Sequence, residues 1–393
     1  MKGKTKVKTG LDILVREDFR RIRGLKIGIV ANQTSVTSEL THIIDEAKRR
    51  GRCQVKIVFS PEHGFTGEKP DAHKIKGIHH NEEYDVDIFS LYGETYEPPR
   101  EIIEELDALI FDLQDVGVRW YTYISTLYYC IKACSKTGKS IYVLDRPNPL
   151  NGEIIEGPIL KPEFKSFVGI AEIPVRYGMT IGELALLLNE KYSLKAPLNI
   201  ISMENWKRDY WFEDTNLIWI PTSPNMPTPE TVIIYVGTAL IEGTNISEGR
   251  GTPNPFKVIG APWIKAKKLA EELNREGLSG VKFRPTYFIP YTSKHKNQVC
   301  GGIQIHIADK EELRPFEVGI HILSTIKKMY PNKFEWLKRV RNGEEKYFID
   351  HLAGTDKLRK MIDGEEDPWQ ILDELERDLD RYVIEREKYL IYT

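Results

Sequence analysis

Short, nearly continuous apolar runs punctuate the first half of the chain: KIGIVA (26–31), VKIVF (55–59), VDIFSLY (86–92), ALIFDL (108–113), SIYVLD (140–145) and LNIISM (198–203). Runs of this length without polar alternation suit strands buried on both faces, as in a parallel sheet covered by helices. Between them the period lengthens to that of a helix in SELTHIIDEAKRR (38–50), PREIIEELD (99–107), YISTLYYCIKACSKTG (123–138) and TIGELALLLNEKY (180–192). Pro99 suits an early helical position, where no backbone donor is needed, and Gly51 and Gly138 suit helix ends. The alternation predicts an open, doubly wound α/β domain.

The pattern changes at IPTSPNMPTPE (220–230), where prolines at 221, 224, 227 and 229 exclude a continuing helix or central strand. Residues 1–225 are therefore expected to form the catalytic domain and 226–393 a smaller α+β domain closing a cleft. Beyond the boundary lie TVIIYVGTALIE (231–242) and the glycine-rich GTNISEGRGTPNPF (243–256). A helix is expected around 263–276, strands in VKFRPTYFIPY (281–291) and GGIQIHIA (301–308), and helices near 315–330, 344–363 and 368–382. A length of 393 residues fits two domains.

Composition narrows the classes of function. The 56 basic and 58 acidic side chains give a net charge of -2, too little to gather nucleic acid or anionic lipid. The longest apolar runs, such as ALLL (185–188), are far too short to span a bilayer. The basic start MKGKTKVKTGLDILVRED has only a brief apolar stretch before Arg16 and does not read as a signal peptide. The expectation is a cytoplasmic protein, exported if a leader has been removed. Cys53, Cys130, Cys134 and Cys300 complete no zinc pattern and are expected to be reduced, mostly packed thiols.

In doubly wound sheets ligands bind outside the carboxyl ends of the strands. The segments that follow the expected strands hold most of the unusual polar and aromatic residues of this half. They are Asn32 in NQTS, Glu62 and His63 in SPEHG, and Asp145, Arg146 and Asn148 in LDRPNP. DLQDVGVRWYTY adds Asp112, Gln114, Asp115, Arg119, Tyr121 and Tyr123 within twelve residues. Planar hydrogen-bonding groups beside flat aromatic faces are what a sugar cleft needs, and a guanidinium suits an anionic sugar. The plain alternative is a buried aromatic cluster whose Asp–Arg pair ties a loop. EGTNISEGRGTPNPF contributes Glu242, Asn245, Ser247, Glu248, Arg250 and Thr252 from the second half.

Glu62 can give or take a proton, and the flanking Phe59 and Phe65 could raise its carboxyl toward the range of a general acid. Its plain alternative is a turn built by Pro61 and Gly64. No GxxxxGK[ST] or GxGxxG pattern supports a nucleotide, and His63, His73, His79 and His80 form no HExxH or comparable metal motif. No cofactor and no metal are expected.

SPEHGFTGE, DLQDVGVRWYTYISTL, VLDRPNPLNG, SFVGIAEIPVRYGMTIGELA, PTSPNMPT, EGTNISEGRGTPNPF and GAPW resemble the exo-β-N-acetylmuramidase family of peptidoglycan hydrolases. The resemblance runs from about Gly10 to Tyr392. It implies a Rossmann-like domain followed by a smaller α+β domain, with the site between them. It also implies release of N-acetylmuramic acid from the non-reducing end of cell-wall fragments, with Glu62 of the EHG motif as the catalytic residue. Ser223 and Asn225 of PTSPNMPT join the substrate-binding set on the same ground. The carboxylate partner of Glu62 stays open among Asp115, Asp112, Glu242 and Glu248, with Asp115 placed first. Arg250, and after it Arg119, is expected to read the lactyl carboxylate that sets muramic acid apart from glucosamine. The opposing readings are a non-catalytic sugar-binding protein and a metal- or nucleotide-dependent enzyme. The partner expected in every sugar reading is a peptidoglycan-derived oligosaccharide, with no nucleic acid and no membrane.

Overall fold

The structure is a computed structural model describing residues 5–69, 77–93, 95–341 and 344–393. Each of the six apolar runs of the first half is a strand: β1 (Lys26–Ala31), β2 (Gln54–Ser60), β4 (Val86–Ser90), β5 (Ala108–Asp112), β6 (Ser140–Leu144) and β7 (Leu198–Ile201). One more, β3 (Ile78–Asn81), completes a seven-stranded sheet of order β3-β4-β2-β1-β5-β6-β7. All neighbours pair parallel except β3, which runs antiparallel along the edge of β4. Apolar alternation could not reveal β3, because IHHN is solvent-exposed and polar, and its exposure follows from the edge position. His79 and His80 sit on this strand, with His80 Nδ1 2.9 Å from Asp87 Oδ1, whereas His73 lies outside the described residues.

The helices over the sheet begin and end for local reasons. The side chains of Thr180 and Glu183 each accept from the other's backbone N–H in a capping box at the start of Ile181–Lys191. Gly51 and Gly138 close Ile43–Arg50 and Tyr123–Thr137 in the left-handed conformation. The first of these helices is shorter than its pattern, because His42 caps it and residues 38–42 form a turn instead.

In the second half, the β-branched run after the prolines is a helix, Pro229–Thr238, with Pro229 in its first turn and residues 231–238 all buried. Its uniform burial erased the amphipathic period that marks a surface helix. Strands β8 (Val258–Ala261), β9 (Val281–Phe288) and β10 (Cys300–Ile307) form an antiparallel sheet of order β8-β10-β9. The segment expected as one helix over 344–363 is instead a strand and two helices. Strand β12 (Glu344–Tyr347) pairs with β11 (Lys338–Arg341), and helices Phe348–Ala353 and Lys357–Asp363 follow, separated at Gly354.

The main apolar core runs continuously from Val30 in β1 through Trp120, Ile241 and Leu352 to Tyr389. A separate cluster, including Leu11, Ile29, Ile44, Val58 and Ile110, fills the opposite face of the sheet. Both faces of the parallel sheet are thus covered, and the second half packs directly onto the first. Among the described residues no helix is long and apolar enough to cross a membrane.

Candidate active site

Strand order reverses between β1 and β5, so the loops leaving their carboxyl ends diverge and open a crevice. Asn32, the residue after β1, is fully buried and donates from Nδ2 to Tyr123 Oη at 2.7 Å. Tyr123 Oη in turn donates to the Thr222 carbonyl at 2.7 Å, and Tyr121 Oη to Thr222 Oγ1 at 2.8 Å. This chain of bonds fastens the proline-rich segment over the crevice and fixes Ser223 and Asn225 at its wall.

Glu62 follows β2 and enters the same space. It is half-buried, and Thr122 Oγ1 donates to its Oε2 at 2.7 Å. Thr122 stands immediately before the helix Tyr123–Thr137, so a helix start orients the carboxylate. His63 adopts a left-handed backbone (φ 73), unusual for a side chain of this size, and its Nδ1 donates to the Lys69 carbonyl at 2.9 Å. The Lys69 amide also donates to the His63 carbonyl at 3.2 Å, so the loop is folded back on itself. Phe59 and Phe65, the expected apolar flank of Glu62, belong to the two cores instead. Phe65 packs edge-on against His42 and Tyr84.

Glu62 and His63 line a cavity of about 340 Å³, walled also by Trp120, Tyr121, Thr122, Tyr92, Ser223, Asn225 and Tyr235. The second half contributes Glu242, Glu248, Arg250, Lys294, Arg339 and Phe348 to the lining. Four of these form a compact charge cluster. Arg250 Nη1 lies 3.1 Å from Glu248 Oε1 and 3.2 Å from Glu242 Oε1, with its guanidinium carbon 4.7 Å from the centre of the Phe256 ring. Lys294 Nζ lies 2.7 Å from Glu248 Oε2 and donates to the carbonyls of Ile241 and Thr244 at 2.9 Å. Burial alone would raise the Glu248 carboxyl, but the Lys294 and Arg250 cations outweigh it and hold it below the usual carboxylate value.

Of the residues expected from sequence, Glu62, His63, Tyr121, Ser223, Asn225, Glu242, Glu248 and Arg250 meet at this cavity. The others do not line it. Asp115 is buried below the floor, where its Oδ2 accepts from Gly117 N at 2.7 Å and from Tyr177 Oη, and burial pushes its carboxyl up to about 6. Gly117 needs its missing side chain there: its φ is +76, and a Cβ would come within 2.3 Å of Asn148 Oδ1. Asp112 and Arg146 form a buried two-bond pair at 2.6 and 2.9 Å, and Arg146 also reaches the Val36 carbonyl at 3.0 Å. Asp145 accepts from Gly182 N and Thr180 Oγ1 at 2.8 Å and from Tyr392 Oη at 2.6 Å, and burial raises it to about 7.

The remaining expected residues also bond backbone. Gln114 Nε2 donates to the Asp115 and Pro147 carbonyls at 2.8 Å, and Asn148 Nδ2 to Met179 O at 2.9 Å. Asn245 joins the Lys333 carbonyl to the Glu335 amide, and Ser247 and Thr252 shape the loop around Gly249. Arg119 is the most decisive displacement. Its buried guanidinium donates to four carbonyls, Pro158, Ile173, Leu352 and Ala353, and burial pulls it down to about 9. It faces backbone and leaves no fork for a ligand carboxylate.

Sequence reading passed over Trp120 and Thr122, although both lie inside the quoted DLQDVGVRWYTY, between residues that were singled out. Tyr92, Lys294, Arg339 and Phe348 carried no local signal, since each stands in an ordinary polar or apolar stretch. Among the described residues no group of three His, Cys, Asp or Glu side chains is placed to hold a metal ion. The four cysteines are free, with Cys130, Cys134 and Cys300 buried.

Known proteins resemble the chain along nearly its whole length. The models of the N-terminal and C-terminal parts of exo-beta-N-acetylmuramidase NamZ match residues 27–230 and 233–392. The peptidoglycan beta-N-acetylmuramidase NamZ of Bacillus subtilis (strain 168) is 42% identical over 389 residues, covering 99% of this chain and 92% of that protein. Two crystal structures of DUF1343 family proteins from Bacteroides fragilis NCTC 9343 superpose over 99% of both chains. One has a TM-score of 0.89 at 31% identity and the other 0.77 at 29%. With both family models matched along nearly the whole chain and the fold shared, this protein belongs to the exo-β-N-acetylmuramidase NamZ family.

Proposed function

We propose that the chain is a glycosidase that removes a terminal β-linked N-acetylmuramic acid from the non-reducing end of peptidoglycan fragments, with Glu62 as general acid. The observation that carries this reading is the position of Glu62: a half-buried carboxylate at a strand end, oriented by Thr122 and facing a walled cavity. Hydrolysis of a glycoside needs an acid at the leaving oxygen and, in most cases, a second carboxylate across the sugar. Glu242 and Glu248 face the same cavity from the other half, and the second carboxylate is drawn from this pair. Asp115, first choice on sequence grounds, passes to a supporting role because it is buried beneath the floor. At about 340 Å³ the cavity is in the lower part of the ~300–1,000 Å³ range of small-ligand sites. That size suits the end of a glycan better than its middle. Trp120 and Tyr121 offer apolar ring faces to a pyranose, and Ser223 and Asn225 offer hydrogen bonds to its hydroxyl and acetamido groups.

The test is incubation with a chromogenic β-N-acetylmuramide and with reduced cell-wall disaccharides of both sequences. Release of the chromophore, and of muramic acid only where it occupies the non-reducing end, is expected. Binding of the sugars without any release would replace the glycosidase with a sugar-binding protein.

A further inference from the structure

Among the described residues, three Lys or Arg side chains line the cavity: Arg250, Lys294 and Arg339. Arg250 and Lys294 are drawn inward by Glu242 and Glu248 in the ion pairs described above. Arg339 differs. Among the described residues it has no carboxylate within 4 Å and no hydrogen-bond acceptor. Glu242, the acid whose charge acts on it through space, is already held by Arg250 at 3.2 Å. Arg339 is also placed by packing rather than by polar contacts: its guanidinium carbon lies 3.3 Å from the centre of the Phe348 ring. That ring is itself buried and lines the cavity. A guanidinium resting on an aromatic face keeps its N–H fork available in the ring plane's surroundings and loses less freedom when it takes up a ligand.

The support beneath it is firm. Arg339 leaves strand β11 two residues after Leu337, whose amide donates to the Gly243 carbonyl at 2.8 Å, and Phe348 N donates to Leu337 O at 2.9 Å. The hairpin base is thus tied to the turn Ala239–Gly243 that carries Glu242. Glu62 lines the same cavity. One cavity thus holds the Glu62 carboxylate and an uncommitted, aromatic-supported guanidinium.

We infer that Arg339, stacked on Phe348, is the specificity residue that binds a carboxylate carried by the substrate's sugar. The identity of that carboxylate rests on the proposed function: it is the lactyl group, the acid that muramic acid has and glucosamine lacks. Arg250, whose guanidinium is committed to Glu242 and Glu248, then serves to hold those glutamates in position. Arg339 is a binding residue in this assignment and takes no part in proton transfer.

Binding measured by calorimetry keeps this inference separate from turnover. The ligands are N-acetylmuramic acid, N-acetylglucosamine, and N-acetylmuramic acid with its carboxyl converted to an amide. Wild-type protein should prefer the free acid over both others by about ten- to a hundredfold, the range of one charge-assisted contact. Arg339→Met should lose that preference while binding the two neutral sugars as before. Arg339→Lys, which keeps the charge and loses the fork, should retain part of it. The neutral sugars double as the folding control, since a collapsed variant would bind none of the three. Equal discrimination by wild type and Arg339→Met, or a wild type indifferent to the carboxylate, would overturn the assignment. A protein that shows the binding pattern but never cleaves a muramide would sink the glycosidase reading and leave Arg339 in place.

Discussion

The hydrogen bond from Thr122 Oγ1 to Glu62 is the smallest unit on which the chemistry turns. Glutamine at position 62 preserves the size and the acceptor oxygen but cannot surrender a proton. Glu62→Gln is therefore expected to melt at the wild-type temperature and still bind sugar, while turnover of a terminal muramide falls by ~10²–10⁴-fold. A variant that keeps more than about a tenth of the wild-type rate would remove Glu62 from the role. The same scale shows where residue type misled. Asp112, Asp145, Arg146 and Asn148 have the composition of a sugar site, yet their side chains bond one another and the backbone of strand-end loops. Buried backbone groups demand the same donors and acceptors that a sugar does, so composition alone could not separate the two uses.

At the scale of elements, Arg119 links three segments distant in sequence. Its guanidinium joins the loop after β5 to the carbonyls of Pro158 and Ile173 and to those of Leu352 and Ala353 at the end of a C-terminal helix. Leu352 lines the cavity, so this buried cation holds part of the wall from behind. Arg119→Met would strand four buried carbonyls, and leaving a buried acceptor unpaired costs about 1–3 kcal/mol each. Urea unfolding should place its midpoint well below that of wild type, with substrate affinity weakened only through the displaced wall. A wild-type midpoint would show that water or repacking satisfies those carbonyls. The elements themselves were largely legible: all six apolar runs of the first half are strands, and the helix expected at 315–330 spans Pro315–Met329. Elements whose pattern was flattened by their surroundings were harder to read. The exposed edge strand β3 had no apolar alternation, and the buried helix Pro229–Thr238 had no polar face.

For the molecule as a whole, the continuous core makes contacts between the halves part of its stability. Glu376, on the C-terminal helix Pro368–Glu376, accepts from Gly157 N at 2.6 Å in the first half. Burial, reinforced by the like charges of Glu156 and Glu317, raises its carboxyl from 4.5 to about 7. The folded protein therefore holds this proton where the unfolded chain has released it, and its contribution to stability declines as pH rises from about 4.5 to 7. Asp115 and Asp145, raised to about 6 and 7, act in the same direction, while the burial-lowered His42 and His321 oppose them. The net slope mixes these groups, so a variant isolates one. Glu376→Gln keeps an acceptor for Gly157 and cannot ionise, and its stability relative to wild type should rise between pH 5 and pH 8. Denaturant midpoints at the two pH values decide it: a constant or falling difference would mean that Glu376 is already ionised at pH 5.

Local pattern in the sequence determined the strands of a covered parallel sheet, and from them the edge at which polar loops would gather. It also carried the family motifs that bring Glu62, Tyr121, Glu242, Glu248 and Arg250 into consideration. These features are local: the apolar period reflects which faces of an element are buried, and motifs are contiguous by definition. Only the tertiary structure decided which polar side chains face the cavity and which serve the backbone beneath it, because that depends on the direction each one takes after folding. It alone buried Asp115 and Arg119 away from the cavity lining, paired Arg250 with two glutamates, and brought Arg339 on Phe348 into the same cavity as Glu62. Residues 62 and 339 are far apart along the chain, and only packing of the second half onto the strand ends of the first makes them neighbours of one space.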